Sequence, residues 1–283
     1  MQTISDCIKE KVLSTSTTSF GPYVLATGTA AVRRLHVLHE IYSPVGRQVL
    51  QKAGLTAGMK VADFGCGVGV VTRMIAEMAG PSGSVAGVDI NGAQLSEARR
   101  LCETQGLKNT FFVEASACDT GLPRNSFDLV YCRFLLIHLP DPGACLREMK
   151  DVLKPGGILV VEDGDLASAG SSPATASNAF ADLFCRLAPT RGVDYRLGRD
   201  LDRLVTQAGF SDVNVETHQP EIISPEHRLF LKWSIEEAGP ALVSERIISS
   251  DELEQTLSAM EEAAQDPEVH IFAPRMSLVW ARK

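Results

Sequence analysis

The chain has 283 residues, 45% of them hydrophobic and 22% charged, enough apolar content for one large globular core. Its 27 basic against 35 acidic residues give a formal charge of −8, and no run of lysine or arginine offers a phosphate-tracking face, which argues against nucleic acid and membrane surfaces as partners. Seven scattered cysteines without a C-x-x-C pair read as buried thiols of a reducing, cytoplasmic setting, and there is neither a signal-peptide core nor an apolar run near ~20 residues.

Residues 1–22, rich in serine and threonine and ending in Phe20-Gly21-Pro22, are expected to form a loose arm. Over 30–41 the pattern is helical, with Val32, Leu35, Leu38 and Ile41 on one face and Arg33, Arg34, His36 and Glu40 largely elsewhere. Pro44 is expected to break this helix, and a second should run over 45–53 to Gly54. Residues 59–64 have the apolarity of a buried parallel strand, and residues 71–79 return to helical spacing. Between them lie Gly65, Gly67 and Gly69, whose lack of a Cβ lets the backbone take positive φ and lie against a ligand at the following helix N-terminus. A dinucleotide fingerprint needs G-x-G-x-x-G; here the third glycine comes one residue early and Val70 stands in its place, which weakens a nicotinamide reading. Asp63, two places before the first glycine, could hold a cationic group.

The run Asp63-Phe64-Gly65-Cys66-Gly67-Val68-Gly69 resembles the D-x-G-C-G-x-G signature of class I S-adenosylmethionine-dependent methyltransferases. Three further signatures of that family follow in order: Leu122-Pro123 with Ser126-Phe127-Asp128-Leu129-Val130-Tyr131, then the stretch from Leu135 to Pro142, then Leu153-Lys154-Pro155-Gly156-Gly157. The resemblance runs from residue 59 to residue 165. It implies an α/β, Rossmann-like, doubly wound seven-stranded sheet, mostly parallel with an antiparallel last strand, and a helical cap. The expected layout is a single domain, with 1–45 as arm and cap helix, 46–165 as the cofactor-binding core, and 166–283 as lid helices and the end of the sheet. The cap is expected from the N-terminus and from 164–200.

Residues 84–88 predict the second strand, ending at Asp89, which emerges beside the glycine turn where a carboxylate can accept from both ribose hydroxyls of an adenosine. Asn91 is the more natural cap of the next helix. Residues 110–114 predict the third strand. In the family an acidic residue then reads the adenine amine, and here that position is Ser116. The resemblance thus sets S-adenosyl-L-methionine against Asp63, Gly65, Cys66, Gly67 and Gly69, then Asp89, Ile90 and Gln94, then Ser116 and Ala117, with Arg133 after the fourth strand. Arg133 would either grip a ligand carboxylate or pair with one of the acids that follow. Beyond 165 the pattern predicts helices over 174–188, 201–209, 227–238 and 251–263, and strands over 212–215 and 277–281.

Methyl transfer from a sulfonium is an in-line displacement, so alignment, worth ~7–11 kcal/mol, matters more than a general base worth ~3–5 kcal/mol. The candidates for a base are His138, after the fourth strand, and Asp163 and Asp165, with Glu162, after the fifth. His138 could equally be a packing residue, but three carboxylates in four residues are costly to bury unless paired or facing a polar ligand. Tyr23, Tyr42, Tyr195 and His36 are candidates for the acceptor's wall; His36 and His39 have no third ligand spaced for a metal, and none is expected. The expected function is methyl transfer to the O, N or C atom of a small, apolar or aromatic metabolite, with a homo-oligomer left open. The rivals are a nicotinamide oxidoreductase and a non-methylating cyclase or binding protein on the same fold.

Overall fold

The computed structural model describes residues 29–283. Strand β1 (Lys60–Phe64) runs parallel between β2 (Ser84–Asp89) and β4 (Phe127–Arg133), and every residue of β1 after Lys60 is buried. β3 (Thr110–Glu114) adds outside β2, and β5 (Leu153–Asp165) adds outside β4. The order is completed by β9 (Arg275–Arg282), antiparallel to β5, and β7 (Ser211–His218), giving β3-β2-β1-β4-β5-β9-β7. The expected seven-stranded, mostly parallel sheet is therefore present, and its one antiparallel strand lies inside the sheet, between β5 and β7. Crossover helices α2 (Val70–Ala79), α3 (Gly92–Thr104) and α4 (Pro142–Val152) join the parallel strands. Asn91 caps α3 by accepting from the amides of Ala93 and Gln94, as expected, and Asp141 caps α4 through Ala144.

Helix α1 corrects the sequence reading, because it continues from Thr29 to Ala53 straight through Pro44. A proline inside a helix costs ~3 kcal/mol. Tyr42, Val49 and Leu50 flank it and are almost wholly buried, each contributing ~1.5–3 kcal/mol, so tertiary burial outweighs the break. The cap also differs in composition. It is built from α1, α5 (Ala179–Arg191) and α7 (Phe230–Ser244), with α8 (Ser250–Gln265) behind α7. Within 164–200 the chain first finishes β5 and supplies β6 (Gly170–Ser172), paired antiparallel with β8 (His270–Phe272), before α5 enters the cap; α7 is added from beyond 200. Helix α6 (Leu201–Gln207) returns the chain to β7.

Two side chains fasten α1 to α7. Arg34 Nε donates to Glu237 Oε2 at 2.9 Å with both side chains buried, and the Arg33 guanidinium lies 4.3 Å from the Trp233 ring centre. His227, just before α7, adds a 2.7 Å contact to Glu40. Among the described residues no helix is long and apolar enough to cross a membrane.

Candidate active site

The turn after β1 works through its glycines. Gly67 has φ +54°, and a Cβ there would come within 3.1 Å of the Gln94 amide oxygen, so the backbone lies open to the cavity. Gly69 serves packing instead. With φ +76° it starts α2, and a Cβ on it would lie 2.8 Å from that of Ala98, so its smallness lets α3 pack close. It does not line the cavity, which corrects its place among the cofactor residues.

A cavity of about 680 Å³ begins at this turn and runs beneath the cap. That size is ordinary for a small-molecule site, ~300–1,000 Å³. Asp63, Gly65, Cys66, Gly67, Asp89, Ile90, Gln94, Ser116, Ala117 and Arg133 all line it, so ten of the sequence-expected cofactor residues are brought together. Asp89 braces the turn, with Oδ2 accepting from Gly67 N at 2.8 Å and Oδ1 from Asn91 N at 2.9 Å. Each oxygen keeps a further lone pair. Next to it Ile90 is 57% exposed, an apolar surface at the rim. Ser116 Oγ accepts from Cys118 N at 3.2 Å.

Behind the turn, one face of the sheet carries a buried polar cluster. Asp63 Oδ2 accepts from Thr72 Oγ1 at 2.6 Å, and burial pushes its carboxyl up to about 7 although Thr72 and Arg133 oppose the rise. Arg133 lies directly across from Glu162 in the β4–β5 register. Burial pushes Glu162 up to about 7 as well, against the pull of Arg133. Both Glu162 oxygens, the Tyr131 hydroxyl and Arg133 Nη1 are buried without a hydrogen-bond partner among the described residues. Arg133 Nη2 is 3.4 Å from His39 Nδ1, and His39 is pushed down to about 4 by burial and by Arg133. Gly46 of α1 makes room for this cluster, since a Cβ there would come within 2.8 Å of the Glu162 carboxylate. Phe134, which follows β4 and lines the cavity, holds φ +49°, a conformation a bulky residue keeps only when its surroundings impose it.

The far half of the cavity is apolar. Phe180, Phe184, Tyr195 and Phe230 line it with Leu38 and Leu166, and the Tyr195 ring stands edge-on to Phe184 and to His138 at centroid distances of 5.3 and 5.8 Å. His138 also lines the cavity, and burial, with Arg34 and Arg191 adding to it, pushes its imidazole down to about 3. It is therefore neutral at any working pH and a weak base. Of the wall candidates among the described residues, Tyr195 is the one found here. Tyr42 is a core residue that donates to Pro274 O at 2.6 Å, His36 does not line the cavity, and Tyr23 lies outside the described residues. Asp163 and Asp165 are likewise corrected. Asp163 accepts from the amides of Leu136, Ile137 and Gly164, and Asp165 pairs with Arg199 at 2.7 Å and Arg275 at 3.2 Å, so both serve the fold. The Phe180/Phe184 pair was readable in principle, being aromatic at i and i+4. Phe230 and Arg34 gave no local signal. Among the described residues no group of three or more His, Cys, Asp or Glu is arranged to hold a metal ion.

A parallel sheet whose ligand cavity opens at the carboxyl ends of β1, β2 and β4, with a glycine turn and an acid after β2, defines a nucleotide-cofactor enzyme of the doubly wound class. The family model of a methyltransferase domain matches residues 55–209, and the chain belongs to that family, the class I S-adenosylmethionine-dependent methyltransferases. It is similar to aklanonic acid methyltransferase DauC from Streptomyces sp. (strain C5), 36% identical over 118 residues that cover 42% of this chain and 54% of that protein. It is also similar to the ubiquinone/menaquinone biosynthesis C-methyltransferase UbiE from Hahella chejuensis, 40% identical over 116 residues, 41% of this chain and 47% of that one. The match thus spans about half the length of these curated relatives. A crystal structure described as a putative methyltransferase from Bacillus halodurans C-125 shares the fold, with a TM-score of 0.57 at 19% identity, covering 84% of this chain and 97% of its own.

Proposed function

We propose that this protein transfers the methyl group of S-adenosyl-L-methionine to an apolar small molecule held under the cap. The observation that carries this reading is the single cavity that joins a glycine-turn, nucleotide-type end to an aromatic-walled end. The names of the two relatives support a small-molecule acceptor. The cofactor fits the residues present. Gly67 leaves room against the backbone, Asp89 has spare lone pairs for the ribose, and the exposed Ile90 offers an apolar face to the adenine. Arg133 has a buried donor still unused among the described residues, suited to the methionyl carboxylate, and Asp63 is a buried acid, pushed up to about 7, that an ammonium group set against it would hold ionised.

When bound, the cofactor supplies an electrophilic methyl group on a sulfonium. The chain's own part is to align the acceptor and to exclude water, for which Phe180, Phe184, Tyr195 and Phe230 form the wall. Burial keeps His138 neutral and a weak base, which favours an acceptor that arrives as a carbon nucleophile or an already ionised group, oriented by the neutral imidazole. We place the protein in the cytoplasm on its dispersed thiols, six of which are free among the described residues. The test is mass spectrometry of fused-ring aromatic metabolites incubated with the protein and methyl-labelled donor. Label transfer to an apolar acceptor is expected; binding of NAD in place of S-adenosylhomocysteine in calorimetry would sink the assignment.

A further inference from the structure

Arg34 is a buried guanidinium in the roof of an apolar cavity. Its side chain is 6% exposed, it lines the cavity from α1, and among the described residues Glu237 is the one side chain that hydrogen-bonds it. The pairing uses one nitrogen and one oxygen only. Nε donates to Glu237 Oε2 at 2.9 Å, while Glu237 Oε1 is buried without a partner among the described residues. A two-toothed ion pair would have occupied the guanidinium fork, and among the described residues this pairing engages Nε alone. Glu237 therefore fixes the Arg34 side chain from behind and neutralises part of its charge, as a carboxylate behind a ligand-binding arginine would.

The surroundings fit an anion. Among the described residues the acids that line the cavity, Asp63 and Asp89, both sit at the glycine turn, and none lines the aromatic half. Arg191, the last residue of α5, lines that half, and it and Arg34 both act electrostatically on His138. Ser234 lines the cavity one turn before Glu237 on α7, and Leu38 one turn after Arg34 on α1. An arginine desolvated in this way is costly to a purely apolar ligand and rewarding to an oxyanion on an apolar body.

We propose that Arg34 recognises the acceptor, which is an apolar ring system bearing an oxyanion, carboxylate or phenolate, taken by the two terminal nitrogens of the guanidinium while the rings lie among Phe180, Phe184, Tyr195 and Phe230. This rests on the methyl-transfer reading above and names its substrate class. It also supplies what His138 lacks, because an acceptor that binds as an anion needs no protein base.

The test is calorimetry on the full chain loaded with S-adenosylhomocysteine, with naphthoate, its methyl ester and naphthol as probes. Wild type is expected to bind naphthoate, or naphthol above its ionisation pH, at least ~tenfold tighter than the ester, the worth of one charge-assisted hydrogen bond. Arg34→Met alone would strand the Glu237 charge and could unfold the cap, so the decisive variant is Arg34→Met/Glu237→Met, which removes both charges together. It should keep its melting behaviour and its S-adenosylhomocysteine affinity while the preference for the anion falls to within ~twofold. Glu237→Gln should keep the preference. Equal binding of anion and ester by wild type, an undiminished preference in the double variant, or no binding of any probe to the loaded protein would each overturn the inference while leaving methyl transfer standing. Failure of wild type to bind S-adenosylhomocysteine at all would instead remove the reading beneath it.

Discussion

Glu162→Gln gives the sharpest test of the buried cluster, because glutamine imitates the protonated acid in the same space under α1. Burial holds the Glu162 carboxyl at about 7 instead of its ordinary 4.5, with Arg133 only partly compensating. The folded chain therefore binds that proton more tightly than the unfolded chain does. Its stabilising contribution is complete below about pH 4.5 and is lost as pH rises through about 7. At about 1.4 kcal/mol per pH unit, the ionised carboxylate costs about 3 kcal/mol above neutrality, with Arg133's attraction already included. Urea denaturation should show the variant within ~0.5 kcal/mol of wild type near pH 4 and more stable by about 3 kcal/mol near pH 8.5. An equal loss of stability at both values would mean that the carboxylate is needed in its ionised form as Arg133's partner, and would refute the desolvation argument.

Asp89→Ala removes the acceptor of the Gly67 and Asn91 amides along with the proposed ribose contact, so calorimetry should show S-adenosylhomocysteine affinity lower by at least ~tenfold, with a lower melting temperature. His138→Ala should reduce kcat less than ~tenfold between about pH 6 and 9, since the imidazole is neutral throughout; a ~10²–10⁴-fold fall would make it the base after all. Tyr42→Phe leaves the Pro274 carbonyl unpaired and should cost ~1–3 kcal/mol in chemical denaturation while cofactor affinity stays unchanged, because Tyr42 lies off the cavity.

What the sequence made legible is what short stretches decide. The β1 run, the glycine turn, Asp89 at the end of β2 and Asn91 as a cap all depend on neighbours within a few positions, and the structure keeps them where they were expected. Pro44 misled because local propensity knows nothing of the burial of Tyr42, Val49 and Leu50 on either side. Asp163 was misread for a related reason: its partners are backbone amides of Leu136 and Ile137 on a separate segment, and amides carry no sequence signature. The acceptor end was the least readable part. Arg34 and Glu237 are 203 positions apart, and only the folded cap makes them neighbours.

The sheet order has a consequence for how the protein is made. β5 ends at Asp165, but the strand that covers its outer edge, β9, begins at Arg275, ~110 residues later in synthesis. At ~5–20 residues per second the ribosome needs on the order of 5–20 s to close that gap. Meanwhile the half-sheet β3-β2-β1-β4-β5 is complete on one side and presents an open ladder of amides and carbonyls on the other. β7 emerges earlier, yet it hydrogen-bonds to β9 and not to β5, so it cannot stand in as a cover. The nascent chain therefore carries a sticky, Val/Ile/Leu-rich edge from Ile158 to Val161 through most of its second half, and a chaperone that binds extended apolar segments would find its best site there.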